Sequence, residues 1–348
     1  MNVKLIVLVI TAVIVKKLSA EHDLPFDVVW DWIGRTHPMT EYIAFRQEYY
    51  REFWSPSELD TRYNNFKRNF FRIRDLNKKY NETSYGITEF ADWSDDEMDM
   101  LKTKEQYGIE AMGSPAAKFT KRYVASGKEV PTNFSWLDLA KLSRVRNQLH
   151  DRGVACNSCW ANTILSVIEI LYRIQFHEVI FLSDNELIDC DLSNNHCFSG
   201  STKRGFIRGL VDGFVLQENY LGICPKKFDL QIAEIYTFQR YGEKALVDYI
   251  ANHGPIAVKM RVPSLITDIV WPRQLFSYKG FGIVRADACW GLTKPQHAVV
   301  LLGYGEENGV KWGNDGYFRL ERGVDACRVE SYAMSAKLKK LNVTHNFY

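Results

Sequence analysis

No run of five or more like charges occurs anywhere in the 348 residues, and 44 basic side chains against 42 acidic ones leave a formal charge of +2. Nucleic acids and other polyanions are bound through concentrated positive charge, so neither is an expected partner. No internal repeat or low-complexity segment is present, which argues against a repeat array. A long hydrophobic run is missing too. The apolar stretch at the N-terminus, Leu5 to Val15, has 11 residues, whereas a bilayer takes roughly 20. Framed by MNVK before and KKLSA after, it resembles a secretory signal cut near Ala20, with a signal anchor as the alternative that the two lysines leave open. A zinc site also lacks its parts: Cys156 and Cys159 form one Cys-x-x-Cys pair, but no second pair and no His-x-His completes a set. Neither metal nor cofactor is expected.

What is present is a globular chain. Hydrophobic residues make up 46% and aromatics 14%, enough for one large core or two ordinary ones. Seven cysteines are an odd number. In an exported chain three bridges would leave one thiol over, and a leftover thiol is either a linker or a reactive group. Asn81, Asn133 and Asn342 fit the glycosylation pattern.

Residues 40 to 80 are charged and helical in pattern. Glu58, Arg62, Phe66, Asn69, Ile73 and Asn77 step by four or three, which keeps all six on one helix stripe. An ordinary amphipathic helix explains the spacing but not the mixture of charged, aromatic and amide residues. Downstream, AMGSPAAKFTKRYVASGKEVP looks like a linker, and a boundary is expected near Lys128. From Trp160 to Ile174 the apolar residues Ala161, Ile164, Leu165, Ile168, Leu171 and Ile174 predict a buried helix. After Gly254 the runs IAVKMRV, HAVVLLGYG and GYFRLERG predict an antiparallel sheet or barrel. The chain therefore reads as α+β, with two lobes.

The stretch GVACNSCWAN carries the chemistry. Ser158 is placed to cap a helix from Trp160, which puts Cys159 on the first turn, where the helix dipole favours an anion. A thiol there can have its pKa lowered to roughly 3.5–7.5 when a cationic partner is close. The partner is sought in QHAVVLLGYG, where His297 stands 138 residues after Cys159. That spacing falls within the cysteine-to-histidine separation of about 130–150 residues that marks one class of thiol enzyme.

With these residues in view, the sequence over most of 40–340 resembles the papain-like cysteine peptidases, the cathepsin L type in particular. CNSCW is similar to the family's Cys-Gly-Ser-Cys-Trp, the Glu58–Asn77 stripe to its inhibitory propeptide signature, GITEFAD to the short motif after it, and VPTNFSW to the start of the mature enzyme. The resemblance implies a papain-like two-lobe fold, one lobe helical and one a β-barrel, behind a helical propeptide. Its divisions would be a signal peptide at 1–20, an inhibitory propeptide at 21–128 and a peptidase domain at 129–348. Cys159 would be the nucleophile, His297 the base and later acid, and Gln148 in VRNQ an oxyanion-hole donor. Gly200 matches a glycine whose backbone pairs with substrate, and Tyr332 aligns near the pocket for the substrate's second residue. The same resemblance implies bridges Cys156–Cys197, Cys190–Cys224 and Cys289–Cys327, leaving Cys159 as the thiol. The implied molecule is a monomer in the lysosome or outside the cell, acting on peptide or protein substrates and held by its own propeptide as intramolecular inhibitor.

The chain departs from the family after His297. There the family has Asn-Ser-Trp-Gly, whose asparagine orients the histidine, but here GYGEENGVKWGNDGYF passes directly to Trp312 and Gly313 and about eleven residues are missing. Asn314 follows the tryptophan, and the role is not transferred to it. Ten residues separate Gln148 from Cys159 where five are usual, Asn157 and Arg328 each stand for a glycine, Ser199 replaces a cleft glycine, and Asn162 stands where an aromatic usually packs. Two functions follow: a cysteine endopeptidase made as a zymogen, or a catalytically impaired relative that acts by binding or inhibition.

Overall fold

A computed structural model describes residues 38–53, 55–80, 85–99, 118–137, 146, 156–240, 242–261, 283, 286, 297–307, 310–315 and 318–339. Residue contacts divide the chain into two units, Met1–Ser94 and Asp95–Tyr348.

In the first unit, helix α1 (Pro38–Glu48) packs on helix α2 (Pro56–Tyr80). Ser55 Oγ accepts the Glu58 N–H at 3.1 Å, and Pro56 takes the first helical position, so both ordinary start signals set the α2 N-terminus. Tyr42, Phe45, Phe66 and Ala91 form the core. The mixed stripe on α2 acquires its reason here. Asn69 Nδ2 donates to the carbonyls of Ala91 (2.8 Å) and Trp93 (3.2 Å), while Asn77 exchanges two bonds with the Tyr85 backbone, at 2.8 and 3.0 Å. Arg62 donates to the Asp92 carbonyl at 3.4 Å. One helix face is built to bind the backbone of the segment that follows it. The amides satisfy main-chain groups that a purely apolar stripe would leave buried and unpaired.

The second unit contains helix α3 (Asp95–Asp99), strands β1 (Thr120–Arg122) and β2 (Phe134–Ser135), and helices α4 (Cys159–Phe176), α5 (Asp184–Cys190) and α6 (Thr202–Val211). Strand β3 (Ile232–Thr237), helix α7 (Glu243–Asn252) and strands β4 (Ile256–Met260), β5 (His297–Glu307), β6 (Val310–Asp315), β7 (Phe318–Glu321) and β8 (Ala333–Leu338) complete it. Among the described residues the strands form one eight-stranded sheet in the order β1-β3-β8-β4-β5-β6-β7, with β2 on β5. All pairs are antiparallel except β1 with β3. That exception corrects the expected linker: Thr120–Arg122 is a strand, joined to β3 by backbone bonds.

Two cores reproduce the expected pair of lobes. One surrounds α4, where Ala161, Ile164, Leu165, Ile168 and Leu171 lie with Phe206 and Phe214. The other lies between α7 and the sheet, with Leu246, Ile250, Ile256, Val258 and Leu320. Burial covers nearly the whole circumference of α4, including Trp160 and Tyr172, so it is a central helix and not a surface one. It ends at His177, whose left-handed backbone (φ 61°) lets its N–H close on the Arg173 carbonyl.

Strand β5 is supported unevenly. Residues His297 to Leu301 pair with β4 on one side. On the other side β6 reaches only from Glu307 back to Leu301, so among the described strands nothing pairs with His297–Val300 opposite β4.

Candidate active site

Cys159 opens α4, one residue earlier than the sequence suggested, and the residue is 2% exposed. Ser158 occupies the N-cap position, but its hydroxyl makes no capping bond. Instead the Ser158 carbonyl accepts the N–H groups of Ala161 and Asn162, both at 2.9 Å, and Asn162 Nδ2 donates to Ser158 Oγ at 3.4 Å. A helix start without a side-chain cap keeps its positive end directed at whatever anion forms there. Asn162, at the position where an aromatic was expected, thus bonds back to the cap residue.

The stretch before Cys159 is held by covalent and hydrogen bonds together. Cys156 is bridged to Cys197, and the Asn157 N–H donates to the Cys197 carbonyl at 2.9 Å. Asn157 does not adopt a positive φ, so the left-handed backbone for which asparagine is the tolerant substitute is not used. Arg328 does use it. Its φ of 67° explains why glycine suits that position. Gly200 lies against Trp160, and a Cβ on it would overlap the indole ring. The Trp160 side chain, next after Cys159, thus fixes Gly200 as glycine by contact alone, with no unusual φ.

A buried ion pair braces the same lobe. Arg146 donates to Glu169 on α4 at 2.5 Å and to the Leu182 carbonyl at 3.1 Å, while Glu169 accepts the Leu182 N–H at 2.7 Å. Removing one member of such a pair leaves an uncompensated buried charge, at a cost of about 3–5 kcal/mol. Sequence reasoning missed Arg146, although it stands in VRNQ, two residues before Gln148. Gln148 itself lies outside the described residues, as do Cys289 and the segment 1–20.

His297 is the first residue of β5, opposite Met260 on β4, and α4 packs against β5. The residue is half-buried, yet desolvation pushes its imidazole pKa down to about 4. Such a ring is neutral at pH 7, and the desolvation that keeps it so makes its protonation less favourable. Asn314 pairs with Gly303, six residues further along β5. At about 3.4 Å per residue that register sets its backbone roughly 20 Å along the strand from His297.

Cys190 is bridged to Cys224, Cys327 is also disulfide-bonded, and Cys159 is a thiol. Tyr332 is 42% exposed in the turn before β8, with its carbonyl accepting the Lys259 N–H at 3.0 Å.

Comparison with known proteins assigns this arrangement to a class. Residues 130–337 match the model of the papain family cysteine proteases, and residues 42–98 that of the cathepsin propeptide inhibitor domain. The chain belongs to the papain family of cysteine proteases and carries a propeptide inhibitor domain ahead of the protease domain. It is 30% identical to the viral cathepsin of Mamestra configurata nucleopolyhedrovirus, across 84% of this chain and 87% of that one. Identity to the viral cathepsin of Adoxophyes honmai nucleopolyhedrovirus is 28%, across 92% and 96%. The fold is similar to that of digestive procathepsin L2 from the larval midgut of Tenebrio molitor, with a TM-score of 0.70 and 22% identity over 85% of this chain and 98% of that one. The two-lobe α+β fold and the zymogen organisation are those of this family.

Proposed function

We propose that the protease domain is an endopeptidase that attacks through Cys159. The observation that carries this is a buried thiol on the first turn of a central helix with no side-chain cap, on a helix packed against the strand that His297 begins. In this reading His297 takes the thiol proton as Cys159 Sγ bonds to the scissile carbonyl carbon, and the carbonyl electrons move onto oxygen. Gln148 and the Cys159 backbone N–H stabilise that oxyanion. His297 returns the proton to the leaving amine, giving a thioester that water hydrolyses by the same steps. Gly200 would pair with the substrate main chain, and Tyr332 would close a shallow pocket for small or medium apolar side chains. Cys289 would be the partner of Cys327. The precursor would run as signal peptide 1–20, inhibitory propeptide 21–128 and peptidase 129–348, and would act as a monomer on protein or peptide substrates in the lysosome or extracellular space. No helix among the described residues is long and apolar enough to cross a membrane.

A second reading, a papain-fold relative that binds or inhibits without cutting, is favoured by the one-sided support of His297–Val300. Labelling the acid-treated chain with an epoxide that alkylates cysteine-peptidase nucleophiles, then mapping the modified residue by mass, separates the two. Modification at Cys159 that disappears in His297→Ala supports the enzyme. A folded chain with intact bridges that takes no label supports the second reading.

A further inference from the structure

Three large apolar side chains of the second unit stand almost wholly in solvent, within three residues of one disulfide. Leu221 and Leu192 are each 86% exposed and Ile223 is 79% exposed. The Cys190–Cys224 bridge, with 5.5 Å between its Cα atoms, ties their two segments together: Leu192 follows Cys190 by two residues, and Leu221 and Ile223 precede Cys224. Between the latter two, Gly222 has φ +80° and nothing lies within 4 Å of where its Cβ would stand. The segment is a projecting turn fixed at its base, with branched apolar side chains on its outer end.

The charges beside the turn are mostly basic. Lys226 and Lys227 follow the bridge and are exposed, and Arg204 Nη1 donates to the Ser193 carbonyl at 2.8 Å, next to Leu192. Of the acidic groups, Asp191 is buried and accepts bonds from Ser193 and Asn194, and Asp189 accepts the Tyr220 hydroxyl at 3.4 Å, which leaves Glu218 ahead of the turn. A stable protein interface buries about 800 Å² on each partner, in surfaces of matched shape. Three side chains on a projecting turn fall well short of that. A bilayer imposes no such match: apolar side chains on a tip enter the acyl boundary while basic ones behind it meet headgroup phosphates.

We propose that the turn at Leu221–Ile223, with Leu192 beside it and Lys226 and Lys227 behind it, is a binding site for the surface of a bilayer that contains anionic lipid. The apolar tip supplies insertion, and the lysines supply the preference for negative charge. Binding needs neither the Cys159 thiol nor His297, so it stands apart from the enzyme reading.

The test sediments the full chain with vesicles of phosphatidylcholine, alone or with one third phosphatidylserine, and follows hydrogen exchange over residues 219–227 in the same samples. Wild type is expected to sediment with the anionic vesicles and to show slowed exchange in that segment, which tells this site from binding through any other part of the chain. Leu221→Ser with Ile223→Ser should lower the partition coefficient about a hundredfold or more. Lys226→Ala with Lys227→Ala should lower it about tenfold or more, and only where phosphatidylserine is present. Val324→Ser, at an exposed apolar position outside this turn, should leave it unchanged. All the substituted side chains are exposed, so the fold is expected to survive each change. No sedimentation, sedimentation without slowed exchange over 219–227, or full binding by either double variant would overturn the proposal. So would dimerisation in size exclusion that Leu221→Ser with Ile223→Ser abolishes in the absence of vesicle binding, because it would assign the turn to a contact between two copies.

Discussion

The two sides of the candidate active site are built to different standards. Cys159 begins a helix buried nearly all round, tied at its start by the Cys156–Cys197 bridge and braced by the Arg146–Glu169 pair. His297 begins a strand whose first four residues, His297–Val300, pair among the described strands with β4 alone, and Asn314 lies in register with Gly303, six residues further along. The proposed nucleophile is held by packing, covalent bonds and charge, whereas the proposed base is held by one ladder and by the crowding that desolvates it. A nucleophile can be fixed locally, because its helix supplies both position and field. A base needs its orienter delivered by another strand, and removing a short stretch of sequence is enough to lose it.

The largest test of this asymmetry is His297→Ala, which should lower kcat/KM on a fluorogenic peptide by about 10²–10⁴-fold. In the proposed mechanism the ring of the unaltered enzyme works as a base only while neutral. With its pKa pushed down to about 4, activity should persist as pH falls through 6 and 5 and be lost as it passes below about 4. An acid limb near the ordinary histidine value would show that the ring of the working enzyme is less desolvated than this. A paired comparison by chemical denaturation sharpens the packing side: Ile164→Ala in α4 should cost about 2–5 kcal/mol, and Val299→Ala on the one-sided part of β5 about 1 kcal/mol. Equal losses would remove the distinction. Gly200→Ala should cost about 1–3 kcal/mol through overlap with Trp160, read as a lower midpoint in the same titration. The smallest effect is expected for Asn314→Ala, which should change kcat/KM by less than about twofold given its register opposite Gly303. A drop of a hundredfold would place an orienting role where the ladder denies one.

Much of this was legible before any fold was seen, where one residue series reports one environment. The apolar positions of α4 and the β-branched runs of β4, β5 and β7 have periods that only burial on a helix or a sheet explains. The Glu58–Asn77 stripe announced a face but not its purpose, because Asn69 and Asn77 bind carbonyls that sequence spacing cannot bring into view. For the same reason the linker-like composition of 118–130 concealed β1. Asp248, more than a hundred residues away, anchors it, and small polar residues report nothing about a distant acceptor. The positive φ at Arg328 was readable only as a departure from glycine, and the absence of one at Asn157 was not readable at all.

The Cys156–Cys197 bridge closes a loop with a sequence separation of 41 residues that contains the whole of α4 and α5. In chain-entropy terms that closure is worth roughly 4 kcal/mol against the unfolded state. Thiol enzymes are kept active in the laboratory by added reductant, and here the sulfur that must stay reduced lies three residues from one that must stay oxidised. The concentration of reductant therefore has an upper bound set by Cys156 as well as a lower bound set by Cys159.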